Sequence, residues 1–281
     1  MIVHVTIPDQ SVLQRPQRKN MPSPQTTFLN IDGTHLEYRR YGPSQRSRPT
    51  LVLLHEGLGC VEMWKRFPQQ LAEATECQVL AYSRRGYGES DGYPPPWPLT
   101  YMHEEALESL PRVLDAAAIE SAILIGHSDG ASIALIHAGG RKDPRVHAMI
   151  LMAPHVFNEE SCIDSIRQAR SAFEKGELRK GLQRYHGKNV DDAFWGWNRA
   201  WLDPDFMAWN IEEYLPEILT PLLLIQGEDD QYGSRRQLEA ISTLVPVSVT
   251  TRLLPNCRHA PHHEQPEATL KAITQFIAEL A

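Results

Sequence analysis

Apolar and polar positions follow two patterns along the chain, and these patterns predict strands that alternate with helices. Six stretches are rich in apolar and β-branched residues, as is typical of strands buried in a parallel sheet; they are residues 50–55, 78–83, 122–127, 147–153, 221–226 and 247–254. Before them, residues 27–31 and 34–39 flank Asp32-Gly33, which is the turn chemistry of a β-hairpin. This order predicts an α/β fold with a mostly parallel, eight-stranded sheet flanked by helices.

Helical periodicity appears between most of these strands. Residues 61–75, 101–118 and 266–280 are predicted to be helices that cover the sheet. The interval between the strands at 147–153 and 221–226 is about 60 residues long, far longer than an ordinary connection. Its helical segments are predicted at residues 163–175, 178–185, 191–201 and 206–214. The interval therefore predicts a helical cap inserted over the carboxyl edge of the sheet.

The predicted organisation has three parts. Residues 1–26 are polar and rich in Pro, Gln and Arg, and we expect them to be a loose N-terminal extension. Residues 27–157 and 218–281 form the α/β core, and residues 158–217 form the cap. A chain of 281 residues is long enough for one large domain with such an insertion.

The most informative local motif is Gly126-His-Ser-Asp-Gly130, which joins an apolar strand to a predicted amphipathic helix. This G-x-S-x-G pattern is typical of a nucleophile elbow, a tight turn that exposes its central serine. Such a turn needs small residues two positions before and after the serine, because a Cβ there would collide with backbone. Ser128 is therefore the predicted nucleophile. Asp129 is a weaker alternative, because centring the turn on it would put His127 where a small residue is needed.

Composition and charge limit the classes of function. The net charge of −7 and a sequence pI near 5.9 argue against a nucleic-acid partner. The four cysteines lack C-x-x-C spacing, which is typical of reduced, structural thiols in a cytosolic protein. No apolar run approaches the ~20 residues of a membrane span, and residues 1–7 lack the features of a signal peptide. We therefore expect a cytoplasmic protein without a membrane partner.

Four motifs occur in the order in which α/β-hydrolases have them. They are His55-Glu-Gly-Leu-Gly59, Arg85-Gly-Tyr-Gly-Glu-Ser90, the G-x-S-x-G motif, and the pair Gly227-Glu-Asp-Asp230 and Cys257-Arg-His259. From residue 27 to its end, the chain resembles α/β-hydrolases of the capped group of esterases, enol-lactonases and carbon–carbon hydrolases. The resemblance implies the α/β-hydrolase fold with an inserted helical cap.

A serine nucleophile needs a histidine base that is itself oriented by a carboxylate, and this fold supplies them in the order Ser, Asp, His. After the strand at 221–226 the candidate acids are Glu228, Asp229 and Asp230. The G-x-x-D pattern of the family selects Asp230, with Asp229 in reserve.

Three histidines follow the last strand, and His259 stands where the family has its catalytic loop. Pro261 separates it from His262 and His263. These two could suggest a metal site, but Pro261 disfavours the helix that H-x-x-H sites use, so we expect no metal. His259 is the predicted base.

Two backbone N–H groups are expected to form the oxyanion hole. One belongs to Asp129, and alignment of His55 with the family pattern gives Gly57 as the other. Glu56 stands where the family usually has glycine, and an unpaired carboxylate there would oppose a developing oxyanion. We expect Glu56 to form an ion pair with Arg84 or Arg85 at the end of the neighbouring strand, in preference to binding a cationic or hydroxyl group of the substrate. His55 is expected to hold the loop.

Aromatic residues concentrate in the predicted cap, and together they suggest an apolar pocket roof that accepts an aromatic substrate. Trp195 and Trp197 are the candidate substrate-binding residues from this group, although packing within the cap and against the core is the favoured explanation for any single tryptophan. His155, just after the strand at 147–153, is expected to border the pocket. We group these three residues with Glu56 as candidate substrate contacts.

The sequence therefore predicts a serine hydrolase that cleaves an ester or lactone of a small molecule, without a cofactor. Ser128 attacks the carbonyl, His259 transfers the proton, and Asp230 orients the imidazole. Two alternatives stay open: a carbon–carbon hydrolase of ring-fission diketones with the same triad, and a non-catalytic ligand-binding protein on the same fold. A homodimer is compatible with the sequence.

Overall fold

The computed structural model describes residues 27–45 and 47–280, so the predicted N-terminal extension lies outside the described residues. Within the described part, eight strands are numbered in chain order: β1 (Thr27–Ile31), β2 (Thr34–Tyr41), β3 (Thr50–Leu54), β4 (Val79–Tyr82), β5 (Ala122–His127), β6 (Val146–Met152), β7 (Leu222–Gly227) and β8 (Val249–Leu254). They form one sheet in the order β1-β2-β4-β3-β5-β6-β7-β8. The predicted eight-stranded sheet is confirmed.

The sheet is antiparallel at one edge and parallel elsewhere. Strands β1 and β2 form a hairpin, and β2 also pairs antiparallel with β4. In the turn between β1 and β2, Asp32 and Gly33 have φ angles of 50° and 85°, as a two-residue hairpin loop requires. From β4 to β8 all pairs are parallel. The carboxyl ends of these strands therefore meet at one edge of the sheet.

Ten α-helices cover the sheet or lie between its strands in the described residues. They are α1 (Phe67–Thr75), α2 (Tyr101–Glu104), α3 (Leu110–Ala116), α4 (Asp129–Gly140), α5 (Glu160–Glu174), α6 (Glu177–His186), α7 (Val190–Trp201), α8 (Arg235–Leu244), α9 (Pro261–Glu264) and α10 (Pro266–Glu279). One π-helical turn (Glu105–Ser109) connects α2 to α3. None of these helices is both long enough and apolar enough to cross a membrane.

The two faces of the sheet have separate apolar cores because side chains alternate along a strand. In β3, Leu51 and Leu53 belong to the core that contains residues of α1 and α10. Val52 and Leu54 belong to the other core, with residues of α3, α4, α8 and the helices between β6 and β7. Both faces of β3 are buried, which explains why its sequence is apolar without alternation.

Two predicted helices differ from the structure. The segment 61–75 is divided into a 3₁₀ turn (Val61–Trp64) and α1. A continuous α-helix would bring the ring of Pro68 against the carbonyl of Trp64, so the proline begins a new helix instead. The segment 206–214 is two 3₁₀ turns (Pro204–Ala208 and Glu212–Glu217), and Asn210 between them forms a β-bridge with Phe157.

Candidate active site

Ser128 lies between β5 and α4 in a conformation that few residues other than glycine adopt. Its φ and ψ angles are 53° and −118°, and strain of this kind costs roughly 1–3 kcal/mol. A Cβ on Gly126 would overlap the backbone of Gly130 and Ala131, and a Cβ on Gly130 would overlap the carbonyl of Leu54. The local geometry is therefore that of the tight turn predicted for a nucleophile elbow.

Asp230 and His259 meet at the carboxyl edge of the sheet. Asp230 follows β7, and His259 lies between β8 and α9. The Nδ1 atom of His259 is 2.8 Å from Oδ1 of Asp230. The same oxygen accepts a hydrogen bond from the Tyr232 backbone N–H at 2.9 Å, and Oδ2 accepts one from Gln226 Nε2 at 3.2 Å. Because the carboxylate only accepts, His259 carries its proton on Nδ1 and leaves Nε2 as the basic nitrogen.

Each partner changes the pKa of the other. Burial would raise the pKa of Asp230, but the charge and hydrogen bond of His259 outweigh burial and lower that pKa. Burial would likewise lower the pKa of His259, and Asp230 outweighs it, so the pKa of His259 is raised. Asp229, the reserve acid, is exposed to solvent. The geometry therefore selects Asp230 as the carboxylate that orients His259.

The other two histidines of this loop have structural contacts. His262 is buried against Trp64, with ring centroids 4.9 Å apart. His263 Nε2 donates to the carbonyl of Met63 at 3.0 Å. Both residues belong to α9, so the expectation that Pro261 would prevent a helix here is wrong. The N–H group of the first helical residue has no partner within the helix. Proline, which has no N–H group, can therefore occupy that position, and Pro261 begins this short helix.

The predicted oxyanion loop, which follows β3, is held by Arg84. Its guanidinium donates to the carbonyl of His55 at 2.6 Å and to the backbone carbonyl of Glu56 at 3.2 Å. His55 Nδ1 donates to the Glu56 carbonyl at 2.7 Å, and its Nε2 accepts from the Arg84 backbone N–H at 3.1 Å. His55 therefore holds the loop. Gly57 lines the same cavity as Ser128, but its N–H role stays a prediction.

Asp129, the other predicted oxyanion donor, is the first residue of α4. Its side chain accepts a hydrogen bond from the hydroxyl of Tyr101 at 2.5 Å, and Tyr101 accepts one from Trp201 Nε1 at 2.9 Å. Burial raises the pKa of Asp129. These contacts hold the carboxylate inside the core, and the backbone N–H lies at the helix N-terminus next to Ser128.

The carboxylate of Glu56 has a partner, but the partner is not an arginine. Its Oε2 atom is 3.3 Å from Nδ1 of His127. Arg84 is used by backbone carbonyls, and Arg85 donates to the carbonyl of Gly92. The predicted ion pair of Glu56 with Arg84 or Arg85 is therefore wrong, because both guanidinium groups are directed to other acceptors.

One cavity connects these residues. Its polar lining includes Glu56, Ser128 and His259, and its apolar lining comes from the helices between β6 and β7 and from the core: Leu58, Met63, Cys162, Ile166, Leu182, Tyr185, Trp197, Trp201, Tyr232 and Ala260. The cavity measures about 100 Å³, whereas an ordered water needs ~10–15 Å³ on the same scale. It therefore has room for a small molecule.

Three candidate substrate contacts have different positions. Trp197 and His155 line the cavity, and burial lowers the pKa of His155 to about 4. Trp195 lies elsewhere, with its ring 5.7 Å from the guanidinium of Arg170 and 5.3 Å from that of Arg199. The geometry thus gives no support for Trp195 as a substrate contact.

A comparison with known protein families shows which family the chain belongs to. A family model described as "Alpha/beta hydrolase family" matches residues 51–272. The chain belongs to this family.

Known relatives of this alpha/beta hydrolase carry several different names. It is 22% identical to epoxide hydrolase 4 of Homo sapiens, over 90% of this chain and 78% of that protein. The match to epoxide hydrolase 4 of Mus musculus is 30% identical but covers 52% of this chain and 40% of that protein. Among solved structures it is similar to VinJ, with 20% identity, a TM-score of 0.72 and coverage of 92% and 100%. The enol-lactonase from Burkholderia xenovorans LB400 has 20% identity, a TM-score of 0.69 and coverage of 90% and 100%. At these identities, the structural similarity shows the fold alone.

Two residues of this alpha/beta hydrolase were not anticipated at the site. Tyr232 binds Asp230 through its backbone, and its ring centroid is 4.6 Å from that of His259. His127 binds Glu56 and also contacts the His259 carbonyl through Nε2 at 2.7 Å. For Tyr232 the signal was its position two residues after Asp230. For His127 it was its position beside Ser128, at the carboxyl end of β5.

Proposed function

We propose that this alpha/beta hydrolase is a serine hydrolase that cleaves a carboxylic ester or lactone of a small, largely apolar substrate. The observation that carries the proposal is that Ser128 shares a cavity with His259, whose Nδ1 is bound to a buried carboxylate. This combination supports acyl transfer to water, because it supplies a nucleophile and a base with its basic nitrogen left available. The small size of the cavity supports a small acyl or lactone group.

The mechanism follows from the proton positions. His259 Nε2 removes the proton of the Ser128 hydroxyl as the oxygen attacks the substrate carbonyl. The N–H groups of Gly57 and Asp129 stabilise the oxyanion, and His259 then gives its proton to the leaving oxygen. Asp230 keeps the Nδ1 proton in place and stabilises the transient imidazolium. Water, activated by His259, releases the acid and restores Ser128.

The similarity to epoxide hydrolase 4 suggests epoxide opening, but the residue at the turn argues against it. A serine that attacked an epoxide carbon would become an ether, which has no carbonyl for water to attack. A carboxylate nucleophile would become an ester, which water can hydrolyse. Ser128 holds the strained position, and the Asp129 carboxylate is bound to Tyr101. An acyl substrate is therefore favoured.

The triad proposed here also suits a carbon–carbon hydrolase of ring-fission diketones. The mostly apolar cavity is compatible with such substrates, but it does not favour a carbon leaving group over an oxygen leaving group. A ligand-binding protein on this fold would not need the hydrogen bond between His259 and Asp230. Ester or lactone hydrolysis thus stays the first choice.

Two measurements test the proposal. A fluorophosphonate probe is expected to label the wild-type protein at Ser128, with loss of labelling in Ser128→Ala and retention in Ser132→Ala, the matched control on α4. A panel of short p-nitrophenyl esters, small lactones and ring-fission diketones then identifies the reaction. Absence of both labelling and turnover would support a binding protein, and turnover of the diketones alone would support the carbon–carbon hydrolase.

A further inference from the structure

Glu56 is a charged side chain next to a predicted oxyanion donor, and the proposed mechanism does not use it. It precedes Gly57, lines the cavity, and has 24% of its side chain exposed. Its carboxylate folds back over Gly59, where a Cβ would lie 2.5 Å from Oε2 and 2.7 Å from Cδ. The glycine therefore makes room for the carboxylate in this position.

The contacts of His127 show how the carboxylate is held. Its Nε2 is 2.7 Å from the backbone carbonyl of His259, which can only accept, so Nε2 carries a proton. Its Nδ1 is 3.3 Å from Oε2 of Glu56, and a hydrogen bond there requires a second proton, shared between the two side chains. Burial would raise the pKa of Glu56, but the hydrogen bond and charge of His127 outweigh burial and lower that pKa. His127 therefore holds Oε2 of Glu56 in a fixed position at the edge of the cavity.

This pairing uses only one oxygen of the carboxylate. Oε2 is bound to His127, whereas Oε1 makes no hydrogen bond to any residue of the described part of the chain. Because the side chain borders the cavity, Oε1 is the oxygen that a molecule inside the cavity can reach. Oε1 is not buried away from solvent, so it is available to accept a hydrogen bond from a molecule in the cavity.

We propose that Glu56 is a specificity residue that accepts a hydrogen bond from a hydroxyl group on the substrate, close to the scissile carbonyl. The inference rests on the proposed ester or lactone hydrolysis at Ser128. The substrate hydroxyl is expected to lie close to the scissile carbonyl, because Glu56 directly precedes Gly57, the predicted oxyanion donor. A hydroxyl suits the site because Oε2 is already bound to His127, which leaves Oε1 to accept from one small donor. Hydroxyacyl esters and hydroxylactones are therefore the preferred substrate class.

The test compares p-nitrophenyl butyrate with its 2-hydroxy and 3-hydroxy derivatives. The quantity of interest is the ratio of kcat/KM for a hydroxylated ester to that for the plain ester, because intrinsic reactivity cancels when variants are compared. In Glu56→Met, which keeps side-chain length but has no strong acceptor, this ratio is expected to fall about 10- to 100-fold, as for a lost hydrogen bond to a charged group. Glu73→Met, an exposed change on α1, is the control and leaves the ratio unchanged.

A second variant covers failure of the first to fold. In Glu56→Gln the amide can donate to His127 and keep an oxygen for the substrate, so the ratio is expected to fall only about fivefold, as a charged acceptor becomes a neutral one. Equal ratios in wild type and both variants would overturn the inference while leaving the proposed function intact. A preference for an amino ester over the hydroxy ester would also overturn it. Absence of turnover for all three esters in the wild type would instead count against the proposed function.

Discussion

Replacing Asp230 by asparagine removes the charge that orients His259 and creates a conflict between donors. The carboxylate accepts from His259 Nδ1, the Tyr232 N–H and Gln226 Nε2. An asparagine has one oxygen, so its NH₂ group must face at least one of these donors in either orientation. Gln226 is not free to turn over and present its oxygen, because its Nε2 also donates to the Gly233 carbonyl at 2.6 Å.

The size of the effect follows from the tautomer of His259. If the asparagine NH₂ faces Nδ1, the histidine proton moves to Nε2, and no basic nitrogen remains for Ser128. A wrong tautomer of this kind costs about 10³- to 10⁴-fold in kcat, which is ~4–5.5 kcal/mol at 1.36 kcal/mol per tenfold. The donor conflict costs a further ~1–3 kcal/mol of folding stability.

The assay follows kcat/KM for a p-nitrophenyl ester as a function of pH, together with Tm. Neutral His259 is the active form, so activity rises with pH through its pKa, which Asp230 raises. In Asp230→Asn the remaining activity is expected to begin at lower pH, because the carboxylate that raised this pKa is gone. Asp229→Asn, at an exposed neighbour, is the control. Comparable losses in the two variants, or an unshifted acid limb, would refute the assignment of Asp230.

Three further predictions concern the base, the roof and the attachment of the cap. Ser128→Ala and His259→Ala are each expected to lower kcat by about 10³-fold or more, and the double variant by little beyond that, because the two residues act as a unit. A double variant whose loss in kcat equals the product of the two single losses would contradict this. Trp197→Ala is expected to change the ranking of esters by acyl length, whereas Trp195→Ala lowers only Tm; the same ranking in both would place neither at the pocket. His186, which accepts from the Gly88 N–H and donates to the Leu58 carbonyl, has its pKa lowered by burial to about 4. Since its unfolded pKa is ~6.5, the free energy of unfolding should fall by ~3 kcal/mol as pH drops from 6.5 to 4, and denaturant titrations of His186→Gln should show a correspondingly flatter pH dependence.

The elements and the turn could be predicted from sequence because each rests on local chemistry. The strand before Ser128 is apolar throughout, and the two glycines stand where a Cβ would meet backbone. The G-x-x-D pattern of the family likewise pointed to Asp230, because Gly227 ends β7 and Asp230 lies three residues later in the loop that follows. Signals of this kind need no knowledge of the rest of the fold.

The partner of Glu56 could not be predicted, because it depends on side-chain directions at the ends of three neighbouring strands. Sequence placed Arg84 and Arg85 at the adjacent strand end, and the topology agrees. However, the Arg84 side chain is directed to backbone carbonyls, and the Arg85 guanidinium lies 5.0 Å from the ring of Tyr93. The residue that binds Glu56 is instead His127, at the carboxyl end of β5.

The position of the two tryptophans was within reach of sequence reasoning. Trp195 and Trp197 both belong to α7, two residues apart. Residues at this spacing lie about 200° apart around an α-helix and do not share a face. Only one of them could therefore line the cavity, and the structure places Trp197 there. The Trp197 ring closely approaches Gly57, where a Cβ would collide with the indole, and this contact holds Trp197 at the cavity.

The roles of the two histidines beside Ser128 are decided by the partners of their nitrogens. The rings of His127 and His259 are only 5.2 Å apart, and both line the cavity. His127 uses both nitrogens, one for Glu56 and one for the His259 carbonyl, so neither nitrogen is left for a substrate. His259 uses Nδ1 for Asp230 and keeps Nε2 available. Two identical side chains in one cavity are therefore directed to different tasks: His127 fixes the backbone of the base, and His259 is the base.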